Sequence, residues 1–223
     1  LEKIILMSLK SIIIAFLPLF LTIHLFAQPV PQKSITTQSC AVVTASPYAS
    51  MAALDVMKKG GNAFDAAITA QWGLAVVYPQ AGNIGGGGFM IAHTKAGKNI
   101  CLDYREVAPA KAHKDMYLNE QGNPIPELST DGSLASGVPG SVAGIFAMHK
   151  YANLPMHVLM QSAIDYAEKG FAITKGLAYE LNDLKNDFTK INQHLVAFVK
   201  NEKWKSGDLL IQPELASTLK RIS

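Results

Sequence analysis

The sequence predicts an α+β fold for residues 40–223, in which helices and strands do not alternate. Two helix patterns come first, a pair of strand patterns follows, and the rest of the chain carries helix patterns again. Doubly wound sheets need repeated βαβ units, so this order excludes that class. The composition, with 49% hydrophobic and 17% charged residues, is typical of a folded protein.

Residues 1–27 precede this fold and have the composition of a secretory signal peptide. Lys3 and Lys10 are followed by an apolar run without Asp, Glu, Lys or Arg. Pro18 interrupts the run and small Ala27 ends it, which favours a cleaved signal over a spanning helix, since spanning needs about 20 apolar residues. We therefore expect an exported protein, periplasmic or secreted, without a stable membrane anchor. An uncleaved anchor is the alternative.

Charge and residue spacing exclude several kinds of partner. Without residues 1–27 the formal net charge falls from +3 to +2, and the basic residues form no dense run. A nucleic-acid partner is therefore not expected. The histidines lack the spacing of zinc ligands, so neither a metal nor another cofactor is expected. Cys40 and Cys101 leave two interpretations open, one disulfide bond or two separate thiols.

The domain is expected to begin after a short linker. Residues 28–39 are polar and contain proline, as linkers do. The run Ala41–Ala45 predicts a short strand. A helix is predicted over residues 50–59, where the pair Gly60-Gly61 ends it.

Asn62 and Asp65 predict the start of a second helix, with Asn62 as the N-cap. The helix pattern continues to about Val77 and stops before Pro79. Five of its residues are alanine. Because small side chains let a helix lie close to its neighbours, a buried layer is expected.

Two strand patterns with a short connection predict a β-hairpin. The strands are Phe89–Ala92 and Asn99–Arg105, and the connection contains glycine. Alternation in the second strand places Cys101, Asp103 and Arg105 on one face. Arg105 is therefore expected at a strand end.

The chain from residue 108 to residue 130 is polar and rich in turn residues, which predicts a long connection with at most a short helix. Helix patterns resume after it. Further helices are predicted over residues 139–150, 156–169 and 175–187 and from Pro213 onward. The last pattern reaches Ser223 without a stop signal, so we expect a truncated chain.

The run Gly85–Gly88 is a candidate anion-binding loop, because bare backbone N–H groups can surround a phosphate. A phosphate loop or a dinucleotide fingerprint needs a helix after its glycines, whereas here Phe89 begins a strand. Glycines that enter a strand favour close approach of another backbone or of a ligand.

Arg105 is the most suggestive polar residue. Its guanidinium offers a planar fork of donors that matches a carboxylate, so it could orient an anionic substrate. The alternative is a structural ion pair with Asp103 or Glu106, and spacing alone favours that alternative. Serine and threonine residues lack a Gly-x-Ser-x-Gly frame, so no nucleophile is assigned.

Six short stretches are distinctive when they are taken together. They are Ala45-Ser-Pro-Tyr-Ala-Ser50, Gly60-Gly-Asn-Ala-Phe-Asp-Ala-Ala67, Pro79-Gln-Ala-Gly-Asn-Ile-Gly-Gly-Gly-Gly-Phe-Met90, Asp103-Tyr-Arg-Glu-Val-Ala-Pro-Ala110, Leu134-Ala-Ser-Gly-Val-Pro-Gly-Ser-Val-Ala-Gly144 and Ala163-Ile-Asp-Tyr-Ala-Glu-Lys-Gly-Phe171. In this order they resemble the γ-glutamyltranspeptidase family, from Cys40 to the end of the chain. Ser162, where relatives often carry Pro, is a small departure.

The resemblance implies part of an N-terminal nucleophile hydrolase fold, a four-layer αββα sandwich. Residues 40–223 would be the N-terminal portion of the large subunit. In that family a precursor cleaves itself into a large and a small subunit, which frees a Thr at the start of the small one. This Thr attacks the γ-carbonyl of glutathione or a related compound, with its own α-amine as the base. Water or an amino acid then resolves the γ-glutamyl-enzyme.

The resemblance also implies roles for residues in this chain. Arg105 would bind the α-carboxylate of the γ-glutamyl donor, which reverses the preference for an ion pair. The residues implied to support it are Asp103, Glu106, Gly85, Gly86, Gly87 and Gly88. The nucleophile and the oxyanion-hole glycines of the family fall beyond this chain, so no catalytic residue is expected here.

Three functions follow as hypotheses. The first is a fragment of a γ-glutamyltransferase or glutathione hydrolase, whose partner is the small subunit of the same precursor. The second is an acylase or a capsule-processing relative of the same fold. The third is a non-catalytic domain that binds a ligand or a partner.

Overall fold

The described chain folds around the second predicted helix. The computed structural model describes residues 36–192 and 196–223, so the predicted signal peptide and most of the predicted linker lie outside it. The helices are α1 (Pro47–Lys58), α2 (Ala63–Val77), α3 (Glu127–Thr130), α4 (Ser141–His149), α5 (Met156–Lys169), α6 (Lys175–Asp183), α7 (Lys185–Ile191) and α8 (Pro213–Ile222), with a 3₁₀ turn at Ser133–Ala135. The strands are β1 (Phe89–His93), β2 (Asn99–Asp103), β3 (Phe171–Ala172) and β4 (Leu209–Leu210).

Asn62 begins α2, as predicted. Its side-chain oxygen accepts the backbone N–H groups of Phe64 and Asp65 at 2.7 and 3.3 Å. The Asp65 carboxylate accepts the backbone N–H of Asn62 at 2.7 Å. This capping box satisfies N–H groups that have no helical acceptor. Gly60, with a φ of 94°, ends α1 just before it.

The α2 helix is the buried layer that its alanines predict. It packs against α1, α4 and α5, and α5 in turn packs against α8. Trp72 of α2 is fully buried together with Ile145 of α4, Leu159 of α5 and Leu219 of α8. Each large apolar side chain buried in this way contributes about 2 kcal/mol. The cluster therefore fixes the start of α4, which lies beside the hairpin.

The strands β1 and β2 form the predicted antiparallel hairpin, with Phe89 opposite Asp103. The side chains alternate as predicted, because Cys101 and Asp103 are exposed while Leu102 packs toward the core. The thiols of Cys101 and Cys40 are both free, so no disulfide joins them.

The prediction of a strand over residues 41–45 is wrong. Burial alternates along this segment, but the sheets in the described residues pair only β1 with β2 and β3 with β4. Val42 packs instead against Ala53, Ala66 and Ala70. A β pattern without a ladder partner for its N–H and C=O groups does not form a strand.

The predicted helix over residues 175–187 is in fact two helices, α6 and α7, which meet at Leu184. The turn between them lets Phe188 pack on Phe198, with 5.5 Å between the ring centroids. The sequence does not predict the pairing of β3 with β4, because two-residue strands show no periodicity. The remaining helix predictions agree with α1, α4, α5 and α8 apart from their exact ends, and the connection after residue 108 contains only the short α3.

Candidate functional site

Arg105 lies two residues after the end of β2, where the chain leaves the hairpin. The backbone N–H of Tyr104 donates to the carbonyl of Gly88 at 3.0 Å, which extends the pairing by one residue. The Asp103 carboxylate accepts the backbone N–H of Arg105 at 3.0 Å. Asp103 therefore holds the main chain of Arg105 and makes no ion pair with its guanidinium.

The Arg105 side chain is held on two sides. Its Nε donates to the Glu106 Oε2 at 3.0 Å, and its guanidinium carbon lies 5.7 Å from the centroid of the Phe89 ring. Within residues 36–192 and 196–223 its two Nη groups have no protein acceptor. The side chain is 61% exposed. The guanidinium is thus oriented by Glu106 and Phe89 and keeps one pair of donors for a ligand.

Glu106 is the charged partner of this guanidinium. Hydrogen bonding by its own backbone N–H lowers the pKa of the Glu106 carboxyl, and hydrogen bonding by Arg105 lowers it further. Hydrogen-bond donors around a carboxyl group stabilise its ionised form. The structural ion pair that the spacing predicts is therefore present, with Glu106 as the partner. It uses the Nε atom of Arg105 and leaves the Nη atoms to other partners.

The four glycines before β1 differ in their surroundings. A Cβ on Gly87 would lie 2.7 Å from the carbonyl oxygen of Tyr104 and 2.8 Å from the Cα of Arg105. A Cβ on Gly88 would meet the Tyr104 ring at 2.8 Å, and one on Gly86 would meet the Asn83 side chain. A Cβ on Gly85 would meet no atom of the described residues within 4 Å. The predicted close approach of another backbone is confirmed at Gly87.

Sequence reasoning missed the second wall of this site, which comes from the start of α4. A Cβ on Gly140 would lie 2.0 Å from the carbonyl oxygen of Tyr104, and one on Gly144 would lie 2.3 Å from the Cγ of its ring. Tyr104 thus inserts against α4, and the alternation turns Arg105 outward. The available signal was the spacing of glycines in the stretch Leu134–Gly144.

A separate cavity of about 440 Å³ lies between the start of α1 and β3. Tyr48, Met51, Tyr78 and Phe171 are among the residues that line it. Arg105 lies outside this cavity, so the described chain does not enclose its guanidinium there. The described residues contain no cluster of three His, Cys, Asp or Glu that could hold a metal.

Solved structures resemble this arrangement over most of the chain. A γ-glutamyltranspeptidase from Helicobacter pylori is 44% identical with a TM-score of 0.80, covering 85% of this chain and 55% of that one. A cephalosporin acylase from Bacillus halodurans is 27% identical with a TM-score of 0.68, covering 88% of this chain and 39% of that one. The chain therefore has part of the N-terminal nucleophile hydrolase fold, as expected.

The sequence comparisons narrow this class. The family model for gamma-glutamyltranspeptidase matches residues 49–223. A "Glutathione hydrolase proenzyme" of Escherichia coli (strain K12) is 41% identical over 188 residues, which cover 82% of this chain and 32% of the relative. A "Capsule biosynthesis protein CapD proenzyme" of Bacillus anthracis is 38% identical, covering 81% of this chain and 31% of the relative. The chain belongs to the γ-glutamyltranspeptidase family, and it spans about a third of the length of these curated relatives.

Proposed function

We propose that this chain is the N-terminal part of the large subunit of a γ-glutamyltransferase or glutathione hydrolase. In this proposal Arg105 binds the α-carboxylate of the γ-glutamyl donor, and the nucleophilic Thr belongs to a small subunit outside the chain. The names of relatives such as the Escherichia coli glutathione hydrolase proenzyme support the reaction class. The observation that carries the role of Arg105 is its orientation by Glu106 with both Nη groups left for a ligand.

The geometry supports end-on binding of a carboxylate. Glu106 takes the Nε of Arg105 at 3.0 Å, so two donors side by side remain on the Nη atoms. Two parallel N–H···O bonds give both affinity and a fixed orientation. The donor's γ-carbonyl would then lie at a set distance from the guanidinium, where a nucleophile from another polypeptide could reach it.

The experiment uses the complete gene product with a chromogenic γ-glutamyl anilide. Loss of charge-assisted hydrogen bonds in Arg105→Ala is expected to lower kcat/KM by about ten- to a hundredfold, mainly through a higher donor KM. Arg105→Lys keeps the charge but loses the fork, so it should recover only part of the loss. Arg221→Ala removes an exposed guanidinium in α8 and is the matched control. An unchanged kcat/KM in Arg105→Ala rejects the role.

The alternative within the fold is an acylase or a capsule-processing enzyme. The similarity to CapD of Bacillus anthracis favours keeping this candidate. It predicts turnover of other acyl donors and little release from the γ-glutamyl anilide. Binding without any turnover by the complete product would favour the third hypothesis, a non-catalytic domain.

We also infer export, with residues 1–27 as the cleaved signal. In the part of the chain that the structure describes, no helix has both the length and the apolar character needed to cross a bilayer. N-terminal sequencing of the mature protein tests this inference, and a start near residue 28 is expected. Recovery of the uncleaved chain in membranes would contradict it.

A further inference from the structure

Asn83 joins the glycine turn to α4 through a single oxygen. Its Oδ1 accepts the backbone N–H of Gly86 at 2.7 Å and the hydroxyl of Ser141 at 2.9 Å. Its Nδ2 donates to the carbonyl of Ala81 at 3.1 Å, which fixes the orientation of the amide. Ser141 is 1% exposed and is the first residue of α4. Because a buried hydroxyl is costly without a partner, this bond has little freedom to rearrange.

The backbone joins the same two elements. The carbonyl of Gly86 accepts the N–H of Gly140 at 2.8 Å and that of Ser141 at 2.9 Å. Gly86 is therefore held at its N–H by the Asn83 side chain and at its C=O by the start of α4. This arrangement determines how far the glycine turn lies from α4.

The main chain of Arg105 runs between two glycines that this arrangement positions. A Cβ on Gly87 would lie 2.8 Å from the Arg105 Cα, and one on Gly140 would lie 3.1 Å from the Arg105 carbonyl oxygen. Beyond Arg105, Val107 and Val138 exchange two backbone hydrogen bonds of 3.1 and 2.9 Å. These backbones pack too closely to admit a Cβ, so a shift of Gly86 moves the backbone that carries the guanidinium.

We propose that Asn83, together with Ser141, is a positioning residue for the carboxylate site at Arg105. The inference rests on the proposed function of Arg105. Neither side chain is required to touch the donor, because their effect passes through Gly86 to the backbone of Arg105. The expected consequence is weaker donor binding, seen as a higher KM with little change in kcat.

The test measures donor KM and kcat in the complete gene product with the γ-glutamyl anilide. Asn83→Ala and Ser141→Ala are each expected to raise the donor KM by about three- to tenfold, the equivalent of one hydrogen bond. Ser141→Thr keeps the hydroxyl and should retain a KM near that of the wild type. Asn83→Asp keeps the acceptor but loses the donor to the Ala81 carbonyl, so its KM should lie between those of the wild type and Asn83→Ala. A role in folding alone would not produce this separation of KM from kcat.

The matched control is Asn119→Ala. The Oδ1 of Asn119 also accepts two hydrogen bonds, here from the backbone N–H groups of Gln121 and Asn123 at 3.0 and 2.9 Å, but it lies in the exposed connection between β2 and α3. The donor KM of the Asn119→Ala variant is expected to equal that of the wild type. A rise in the Asn119 variant as large as that in Asn83→Ala would overturn a specific role for Asn83.

A double-mutant cycle identifies the route of the effect. If Asn83 acts through Arg105, Asn83→Ala adds nothing to the donor KM of Arg105→Ala. An unchanged KM in folded Asn83→Ala, or an equal fold-change in both backgrounds, overturns the proposal. If Asn83→Ala does not fold, Ser141→Ala is judged by the same criteria. If Arg105→Ala alone leaves KM unchanged, the proposed function itself fails, which is a distinct result.

Discussion

Glu106 determines which part of the Arg105 guanidinium remains open to a ligand. Its carboxylate lies 3.0 Å from Nε, while the Phe89 ring lies 5.7 Å from the guanidinium carbon. An exposed ion pair of this kind adds little to folding stability. Its value is geometric, because it limits the rotation of a long side chain and presents the Nη pair in one direction.

The lowered pKa of Glu106 gives a prediction at this scale. Because the pKa of the folded state lies below the ordinary value for Glu, the pair with Arg105 is fully formed above that ordinary value and is lost as pH falls through the lowered pKa. Arg105→Ala removes both the hydrogen bond and the positive charge by which Arg105 lowers this pKa, so the pKa of Glu106 should rise toward its ordinary value. An NMR titration of the Glu106 side chain measures this change. Arg221→Ala should leave the titration unchanged, and an unshifted midpoint in Arg105→Ala would contradict the assigned pairing.

The sequence identified Arg105 as the residue of interest but could not give its orientation. Asp103 and Glu106 are both within reach in the chain, and spacing does not distinguish them. In the structure Asp103 bonds to the backbone and Glu106 to the side chain. The difference depends on the end of β2 and on the contacts of Tyr104 with Gly88 and α4, which are tertiary features.

At the scale of elements, Asp65 connects the start of α2 with the chain that follows α4. Its side chain is fully buried and accepts the backbone N–H groups of Asn62, Asn153 and Leu154, at distances between 2.7 and 3.1 Å. One carboxylate thus completes a capping box and fixes a turn far away in the sequence. The core that positions α4 beside the hairpin depends on both the start of α2 and this turn.

Asp65→Ala is therefore expected to destabilise the fold strongly. Three backbone N–H groups would lose their acceptor and the space of a fully buried side chain would be left empty, so the free energy of unfolding should fall by about 3 kcal/mol. The control is Asp55→Ala, because Asp55 forms an exposed ion pair with Lys58 at 3.3 Å in α1. Its removal should cost less than about 1 kcal/mol. Denaturant unfolding compares the two, and equal losses would refute this account of Asp65.

Elements whose signals are local could be predicted from the sequence, and those that depend on distant partners could not. The capping residues Asn62 and Asp65 and the hairpin alternation lie within short windows, and both predictions are confirmed. Residues 41–45 have a strand pattern but no partner strand in the described chain. The pairing of β3 with β4 joins segments that are far apart in sequence, so no window contains it.

At the scale of the whole molecule, the core is buried within this chain, whereas the candidate site is exposed. Trp72 and the residues around it are buried by helices of this chain, whereas Arg105 is 61% exposed. Phe89 and Ile91 lie two residues apart on the same face of β1, where their apolar side chains are 63% and 83% exposed. Large exposed apolar side chains that lie near one another are typical of interaction surfaces. An exposed apolar surface beside Arg105 is consistent with the proposal that a second polypeptide completes the site.

The last prediction concerns the chain by itself. In the part of the chain that the structure describes, the Arg105 side chain contacts Glu106 and Phe89, and neither offers the hydroxyl, thiol or amine that acyl transfer needs. Purified residues 28–223 are therefore expected to release no chromophore from a γ-glutamyl anilide, while the complete gene product does so under the same conditions. The Arg105→Ala form of the same fragment controls for contaminating enzymes, because contaminant turnover would not depend on this residue. Turnover by the fragment that Arg105→Ala abolishes would show that the nucleophile lies within these residues, and the assignment of catalysis to another subunit would fail.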